Sequence, residues 1–456
     1  MSLAIVWGEV GVKAAQLLLS LSILVILHEF GHFITARWFK CRVEKFYLFF
    51  DPWFSLLKKK VGDTEYGIGW LPLGGYVKIA GMIDESMDKD QLAQPAQPDE
   101  FRSKPAWQRL IIMLGGVTVN VLLAFIIYAG ILMVWGEKKI PMASVKNGIS
   151  IQDSVMYDMG FKNGDKILAA NGKPIDDYYD IVKRVIVSEN VTVERDGKVQ
   201  TIVLPINFIG KLVEKKKSNT PLIQPRVPAI LGGVSDTMTA YKAGLREGDQ
   251  ILSIDSLQTP FFDMVRPLLL ARKGTTATLQ VKRGAQTLGI LVPINATGAV
   301  GIAPISGLEE YEKAGVVKVV ERKYGFFEAI PAGISMAGTQ LKFYIDQFAK
   351  ILSPKTEAYK GLGGFKSMGN VFPSEWDWES FWTITAFFSI ILAFMNLLPI
   401  PALDGGHVLF TLVEMITGRK PNPKFLEYAQ LAGMVLLLAL MLYANGNDWF
   451  GWGRNK

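Results

Sequence analysis

The residues best suited to chemistry form one short motif, His28-Glu29-Phe30-Gly31-His32, inside the first long apolar run of the chain. The two histidines are four positions apart, so on a helix they project from one face and can share a metal ion. Glu29 lies beside them, where a carboxylate can act as general base on a metal-activated water. The spacing predicts a zinc-dependent hydrolytic centre within a membrane-spanning helix.

The main alternative is a pair of polar residues in a helix contact. The whole chain has only three histidines, and ionisable groups in a membrane helix are costly and usually functional. A catalytic zinc site usually has a third protein ligand. The residues offer two candidates, Asp404 and His407, beside prolines and glycines at the end of another apolar segment. Both side chains can bind zinc, so the residues alone leave this choice open.

Four segments are long and apolar enough to cross a bilayer, which takes about 20 residues. They are residues 12–39, 110–135, 381–403 and 425–444. Half of the 456 residues are apolar and the mean hydropathy is +0.24, which suits several membrane helices with a sizeable soluble part. The first segment lacks a small-residue cleavage site, so we expect it to be retained rather than removed as a signal peptide.

Basic residues predict which side of the membrane each connection occupies. They cluster between the first two apolar segments and between the last two, at Lys40, Arg42, Lys45, Lys58, Lys59, Lys60, Lys78, Arg102, Lys104 and Arg109, and at Arg419, Lys420 and Lys424. The positive-inside rule makes both connections cytoplasmic and the middle region and both termini periplasmic in a Gram-negative cell. The net charge of +7 comes from these flanks and does not indicate nucleic-acid binding. The single cysteine, Cys41, excludes an intrachain disulfide.

The middle region, residues 136–380, is too polar for a membrane and contains an internal repeat. Residues 157–168 recur in pattern as residues 241–252, with a Gly-Asp pair in each copy, and both units end in similar alternating strands. The second copy resembles PDZ domains strongly and the first somewhat less. PDZ domains bind extended peptides at a sheet edge, which we place at residues 230–234 in the second copy. A purely steric role is an equally plausible expectation.

After the repeats, apolar residues at helical spacing predict an amphipathic helix over residues 324–352. Two placements are open for it. The helix either lies on the outer membrane face or packs against the PDZ-like pair.

Together, the first motif and Asn396-Leu397-Leu398-Pro399-Ile400-Pro401-Ala402-Leu403-Asp404-Gly405-Gly406, around tandem PDZ-like units, resemble the site-2 family of intramembrane metalloproteases. The similarity is greatest to the RseP-type members of bacterial envelopes, and it covers nearly the whole chain. It implies one zinc ion per chain, held by His28, His32 and Asp404, with Glu29 as catalytic base. It also implies that Asn396 engages the substrate backbone, although a helix-packing role is the alternative.

The resemblance also implies a membrane-associated β-hairpin over residues 67–81 that binds substrate as an added strand. A substrate helix hides its peptide bonds in internal hydrogen bonds, so cleavage requires a locally extended segment. The implied substrate-binding residues are Gly69, Trp70, Leu71, Gly74, Gly75 and Tyr76. An ordinary interfacial hairpin is the alternative.

The sequence therefore predicts a multi-pass α-helical membrane protein with four transmembrane helices and two α+β PDZ-like periplasmic domains. The predicted transmembrane helices are residues 1–39, 110–135, 381–403 and 425–444, and the predicted PDZ-like domains are residues 136–220 and 221–310. Residues 40–109 and 404–424 are predicted cytoplasmic loops, residues 311–380 an amphipathic helical region after the PDZ-like pair, and residues 445–456 a periplasmic tail.

By resemblance, the function is cleavage of single-span membrane proteins already shortened on the outer side, in a Gram-negative inner membrane. An anti-sigma factor and remnant signal peptides are the expected substrates, and the lipid bilayer is the expected surrounding. An inactive PDZ scaffold and a metal transporter are the alternatives. The complete set of His28, Glu29, His32 and Asp404 argues against a scaffold. The absence of an obvious helix repeat argues against a transporter.

The chain departs from the family pattern at two places. Gly116, in the second apolar segment, stands where relatives often have proline, and the Gly363-Gly364 pair lacks the proline that usually follows it. These departures leave the chemistry unchanged but make the shape of the substrate gate less predictable.

Overall fold

A computed structural model describes residues 3–72, 74–82, 95–215 and 221–453 of the chain. Leu73 of the predicted hairpin, the end of the first predicted PDZ-like domain at 216–220, and residues 454–456 of the predicted tail lie outside the described residues. The chain forms two compact units. The first comprises Met1–Gly136, Lys323–Ala349 and Lys360–Lys456, and the second comprises Glu137–Arg322 and Lys350–Tyr359.

The helices are numbered in chain order. They are α1 (Leu3–Trp38), α2 (Ala106–Val134), α3 (Ser154–Asp158), α4 (Ile181–Val187), α5 (Phe208–Lys215), α6 (Thr239–Ala243), α7 (Val265–Ala271), α8 (Leu308–Lys313), α9 (Phe326–Leu352), α10 (Phe365–Val371), α11 (Trp378–Leu397), α12 (Asp404–Thr417) and α13 (Pro423–Phe450).

The strands of the first unit are β1 (Val43–Leu48), β2 (Phe50–Val61), β3 (Thr64–Leu71) and β4 (Tyr76–Ile79). Those of the second unit are β5 (Glu137–Lys139), β6 (Ile149–Ile151), β7 (Lys166–Ala170), β8 (Lys173–Pro174), β9 (Asn190–Arg195), β10 (Lys198–Val203), β11 (Ile223–Pro225), β12 (Leu231–Val234), β13 (Gln250–Ile254), β14 (Leu257–Gln258), β15 (Thr276–Arg283), β16 (Gln286–Pro293), β17 (Ile302–Pro304) and β18 (Val320–Arg322).

Within the described residues, four helices of the first unit are long and apolar enough to cross a membrane: Gly8–Trp38, Ala106–Val134, Trp378–Leu397 and Pro423–Phe450. The prediction of four such helices is confirmed by length and composition. The third ends at Leu397 rather than at 403, because Pro399 and Pro401 follow and cannot continue the ladder of helical hydrogen bonds. Residues 404–417, predicted as loop, form the helix α12.

Small residues let the first two spanning helices approach closely. A Cβ on Gly31 would overlap the backbone of Gly115, and a Cβ on Gly115 would lie 2.5 Å from the Gly31 carbonyl oxygen. Buried polar pairs add hydrogen bonds between helices, such as Thr385 Oγ1 to Ser20 Oγ at 2.9 Å. Small and hydroxyl residues at helix contacts are typical of packing in membranes, where a hydrophobic driving force between helices is missing.

The predicted helix 324–352 corresponds to α9, which begins at Phe326. Its residues up to Ala349 belong to the first unit, and its buried side packs against α2 and α11. Gly333 lies so close to α2 that a Cβ there would be 2.6 Å from the Ala129 backbone nitrogen. The side chain of Tyr344 contacts Phe387 and Phe394 of α11, with ring centroids 6.1 and 5.5 Å away. These contacts with the spanning helices were not among the sequence expectations.

The second unit contains the repeat as two four-stranded sheets with matching topology. Their orders are β10-β9-β7-β8 and β16-β15-β13-β14. A helix follows the second strand of each sheet in the chain, α4 in one copy and α7 in the other. Separate hydrophobic cores fill the two copies. The internal repeat is therefore a structural duplication.

The aspartate of the Gly-Asp pair is a buried, hydrogen-bonded carboxylate in both copies of the repeat. Asp165 and Asp249 are fully buried, and each accepts a backbone N–H from the residue three positions earlier, at 2.8 and 2.9 Å. Each also pairs with an arginine at the end of a strand, Arg195 at 2.7 Å and Arg283 at 2.6 Å. Burial alone would raise the pKa of Asp249, but Arg283 and the backbone hydrogen bond hold that pKa below its usual range.

Candidate metal centre and active site

Two distant parts of the chain meet at the first motif. His28 and His32 lie on one face of α1, as their spacing requires, and both are buried. Asp404 is the first residue of α12, and its Oδ2 is 3.2 Å from Nε2 of each histidine. The two Nε2 atoms are 3.3 Å apart. Three possible metal-ligand atoms therefore converge on one point.

The separations fit zinc. A tetrahedral ion with bonds of about 2.0 Å to its ligands holds those ligands about 3.3 Å apart. The Oδ2 atom of Asp404 is buried and has no hydrogen-bond partner among the described residues, although both histidines are near it. An acceptor left in this state is the kind of group that a cation satisfies. Two imidazoles and one carboxylate also match the donor set of catalytic zinc sites, with a fourth position open.

The ring orientation of His32 favours metal binding. Its Nδ1 is 2.9 Å from the carbonyl oxygen of Ile112 in α2. A carbonyl only accepts, so the ring proton lies on Nδ1 and the Nε2 lone pair is free for a cation.

The loop before α12 is held tightly by close backbone contacts. Cβ atoms on Gly405 and Gly406 would overlap carbonyl groups of residues 397–400, and the one on Gly406 would lie 2.7 Å from the Ile400 oxygen. Gln430 of α13 accepts the backbone N–H of Ala402 through Oε1 at 3.2 Å. The glycine pair after Asp404 is therefore required by the close approach of the chain to itself.

A buried ion pair fixes the other half of α12. Arg109, near the start of α2, contacts Glu414 of α12 at 2.5 Å, and both side chains are nearly buried. Because α2 also packs against α1, this pair fastens the helix that carries Asp404 to the helix beside the histidines. Arg109 was predicted only as one of the basic residues that flank the apolar segments, and Glu414 was not predicted.

A cavity of about 590 Å³ opens onto the three ligand atoms. Glu29 and the rival ligand His407 line this cavity, but His407 lies outside the group of three converging side chains. Val77 of β4 lines the same cavity as Glu29. The amide Nδ2 of Asn396, at the end of α11, is 3.2 Å from His28 Nε2. Glu29 and Asn396 are thus both within the same small site.

The prediction of a hairpin over residues 67–81 is wrong, because the two strands of this segment do not pair with each other. The sheet order is β2-β3-β1-β4, so β3 and β4 both pair with β1 and not with each other. The β1–β3 pair is parallel. The strand beside the cavity is β4, with Tyr76, Val77, Lys78 and Ile79 in the cavity wall.

The six predicted substrate-binding residues of this segment divide into two groups. Leu71, Gly75 and Tyr76 line the cavity. Gly69, Trp70 and Gly74 are not in its wall. The Trp70 ring stacks with those of Trp53 and Phe54, with centroids 6.1 and 5.9 Å away, and its Nε1–H donates to the Pro52 carbonyl.

Comparison with known proteins now decides the family. The model of Peptidase family M50 matches residues 16–440. The chain belongs to Peptidase family M50. Members of this family are zinc-dependent membrane proteases. The two histidines and the aspartate that converge here, and the four apolar helices, agree with this membership.

Relatives of similar length match the family-M50 chain along almost all of both sequences. The regulator of sigma-E protease RseP of Escherichia coli K12 is 29% identical over 470 residues, which cover 95% of this chain and 97% of the relative. The regulator of sigma E protease of Haemophilus influenzae is 26% identical, with 94% and 97% covered. A Neisseria meningitidis protein with a provisional name as a zinc metalloprotease is 28% identical, with 93% and 96% covered.

Proposed function

We propose that this protein is an intramembrane zinc metalloprotease with one zinc ion per chain, held by His28, His32 and Asp404. The observation that carries the proposal is the convergence of these three side chains beside the cavity-lining Glu29, with both histidines on a helix that is able to span a membrane. An inactive scaffold has no need of a carboxylate placed next to such a donor set, and no described feature favours a transporter.

In the proposed reaction, zinc supplies Lewis-acid chemistry for water and for the peptide carbonyl. Glu29 takes the proton of the attacking water and returns it to the leaving nitrogen. Asn396 orients the substrate backbone through its amide. Strand β4 offers an extended backbone at the edge of its sheet, to which an unwound substrate segment can add as a further strand.

We propose single-span membrane proteins, already shortened on the outer side, as the substrate class. Two of the relatives are named as regulators of sigma E, which supports an anti-sigma factor as one substrate. Remnant signal peptides have the same form, a lone apolar helix with little attached, and are the second proposed class.

We further propose that the two repeat units are PDZ-like domains that act as a size filter against intact outer domains. The test is a series of single-span substrates that differ only in the size of the folded outer domain, each incubated with the full chain in proteoliposomes. Cleavage is expected within the membrane segment, at a rate that falls as the outer domain grows. Absence of cleavage would contradict the protease, whereas a rate independent of size would contradict only the filter. Inhibition by short free peptides would favour peptide binding.

The proposed location is the inner membrane of a Gram-negative cell, with the repeat units and both termini periplasmic. Labelling of single cysteines in a Cys41→Ser background tests this topology, since Lys198 and Lys420 are both exposed. A thiol reagent that cannot cross the inner membrane is expected to label Lys198→Cys and to spare Lys420→Cys. The reverse pattern would refute the proposed orientation.

A further inference from the structure

Asn120 is an amide side chain in the middle of an apolar helix, and the proposed reaction does not use it. It lies in α2 with no surface exposed to solvent. Its Nδ2 is 3.1 Å from Nδ1 of His28. Its Oδ1 is buried and has no hydrogen-bond partner within the part of the chain that the structure describes. Leaving an amide oxygen buried and unpaired is destabilising, so this arrangement requires an explanation.

The two orientations of this amide have opposite consequences for His28. A half-turn about Cβ–Cγ exchanges Oδ1 and Nδ2 without changing the space that the side chain fills. If Nδ2 faces His28, it donates to Nδ1, and the neutral ring then carries its proton on Nε2, where it occupies the lone pair that a metal needs. If Oδ1 faces His28, it accepts the Nδ1–H and leaves Nε2 free.

The neighbouring histidine shows which arrangement a metal requires. His32 donates its Nδ1–H to the Ile112 carbonyl oxygen, 2.9 Å away, and thereby presents Nε2 to the converging ligands. Metal-binding histidines almost always donate the other ring N–H in this way. No backbone carbonyl is recorded at His28 Nδ1 among the described residues, and the Asn120 amide is the group that lies there.

We infer that Asn120 is a positioning residue for the metal centre. Its Oδ1 accepts the Nδ1–H of His28 and so holds the His28 ring in its metal-binding tautomer. This inference rests on the proposed zinc site. Ser389 of α11 donates its hydroxyl to the backbone carbonyl of Asn120 at 2.7 Å, a contact that does not involve the side-chain amide.

The test is the zinc affinity of the full-length protein in detergent, measured as zinc per chain at graded free zinc concentrations set by a chelator. Asn120→Asp keeps the shape and an acceptor but cannot donate, and Asn120→Leu removes both functions. Ser389→Ala is the matched control, since it deletes a hydrogen bond to the same residue without affecting the amide. We expect the affinity to fall about 10–100-fold in Asn120→Leu. Asn120→Asp and Ser389→Ala should remain within about threefold of the wild type, or bind more tightly.

The other outcomes separate the possible errors. An affinity in Asn120→Asp as low as in Asn120→Leu means that the amide donates, which overturns the inference. Unchanged affinity in Asn120→Leu, or an equal loss in Ser389→Ala, overturns it as well. If Asn120→Leu does not fold, the comparison between Asn120→Asp and the wild type decides. A wild-type protein that binds no zinc would instead refute the proposed function on which the inference rests.

Discussion

Glu29→Gln is expected to abolish cleavage of a single-span substrate while zinc binding and folding stay unchanged. The amide has nearly the same size as the carboxylate, so the wall of the cavity keeps its shape. It cannot take a proton from water, and positioned general bases contribute about 10²–10⁴-fold to rate. The residue is not among the three converging ligand side chains, so the metal should remain bound.

The measurement is the rate of appearance of the two substrate fragments in proteoliposomes, together with zinc per chain by elemental analysis. Glu9→Gln is the matched control, because it makes the same change in the same helix, about 30 Å away at 1.5 Å per residue. Its rate should equal that of the wild type. Cleavage by Glu29→Gln at the wild-type rate would exclude Glu29 as the base, and loss of zinc would indicate that it is a ligand instead.

The short motif with the two histidines could be interpreted from its spacing alone, whereas a ligand far away in the sequence could not. His28 and His32 share a face because the period of a helix fixes it, and the structure agrees. Asp404 carries no comparable local signal, since it lies hundreds of residues from the histidines and only the family pattern distinguished it from His407. Helix spacing therefore predicted two of the three ligands, and the family resemblance predicted the third.

The sheet and α12 show why the rest was harder to predict. The hairpin over residues 67–81 was implied by the family resemblance, but in the structure β1 lies between the two strands. A parallel pairing with an earlier strand leaves no local trace in the sequence. The glycines after Asp404 have low helix propensity and indicated a loop. In the structure they begin α12, because only glycine fits against the preceding carbonyl groups.

Asn120 and Gly116 illustrate the same limit on the second spanning helix. An amide in an apolar run indicates function in general terms, but its partner is on another helix and becomes visible only when the helices are packed. Gly116 was noted solely as a departure from the family pattern. Its role follows from what lies opposite it, which are the two histidine rings.

Gly116→Ala is expected to disable the metal centre. A Cβ at this position would lie 2.6 Å from His28 Cε1 and 2.8 Å from His28 Nδ1, and it would also overlap His32 Nε2. Neither ring can move away freely, because each is held within the packed helices and His32 is fixed to Ile112. Overpacking of this kind costs about 1–3 kcal/mol, which corresponds to a loss of about 5–150-fold in zinc affinity if the strain falls on the bound state. Cleavage should fall about 100-fold or more, since catalytic geometry tolerates little displacement.

Gly130→Ala provides the matched control in the same helix. A Cβ there meets nothing within 4 Å, so the change adds a methyl group to α2 without a collision. Alanine is also the better helix former, by roughly 1 kcal/mol, so this variant should be as stable as the wild type or slightly more stable. Zinc titration and cleavage assays on both variants separate contact with the histidines from a general effect on the helix. Equal behaviour of the two variants would mean that α2 does not press on the metal site, and the close approach of Gly116 to the histidines would then have no functional role.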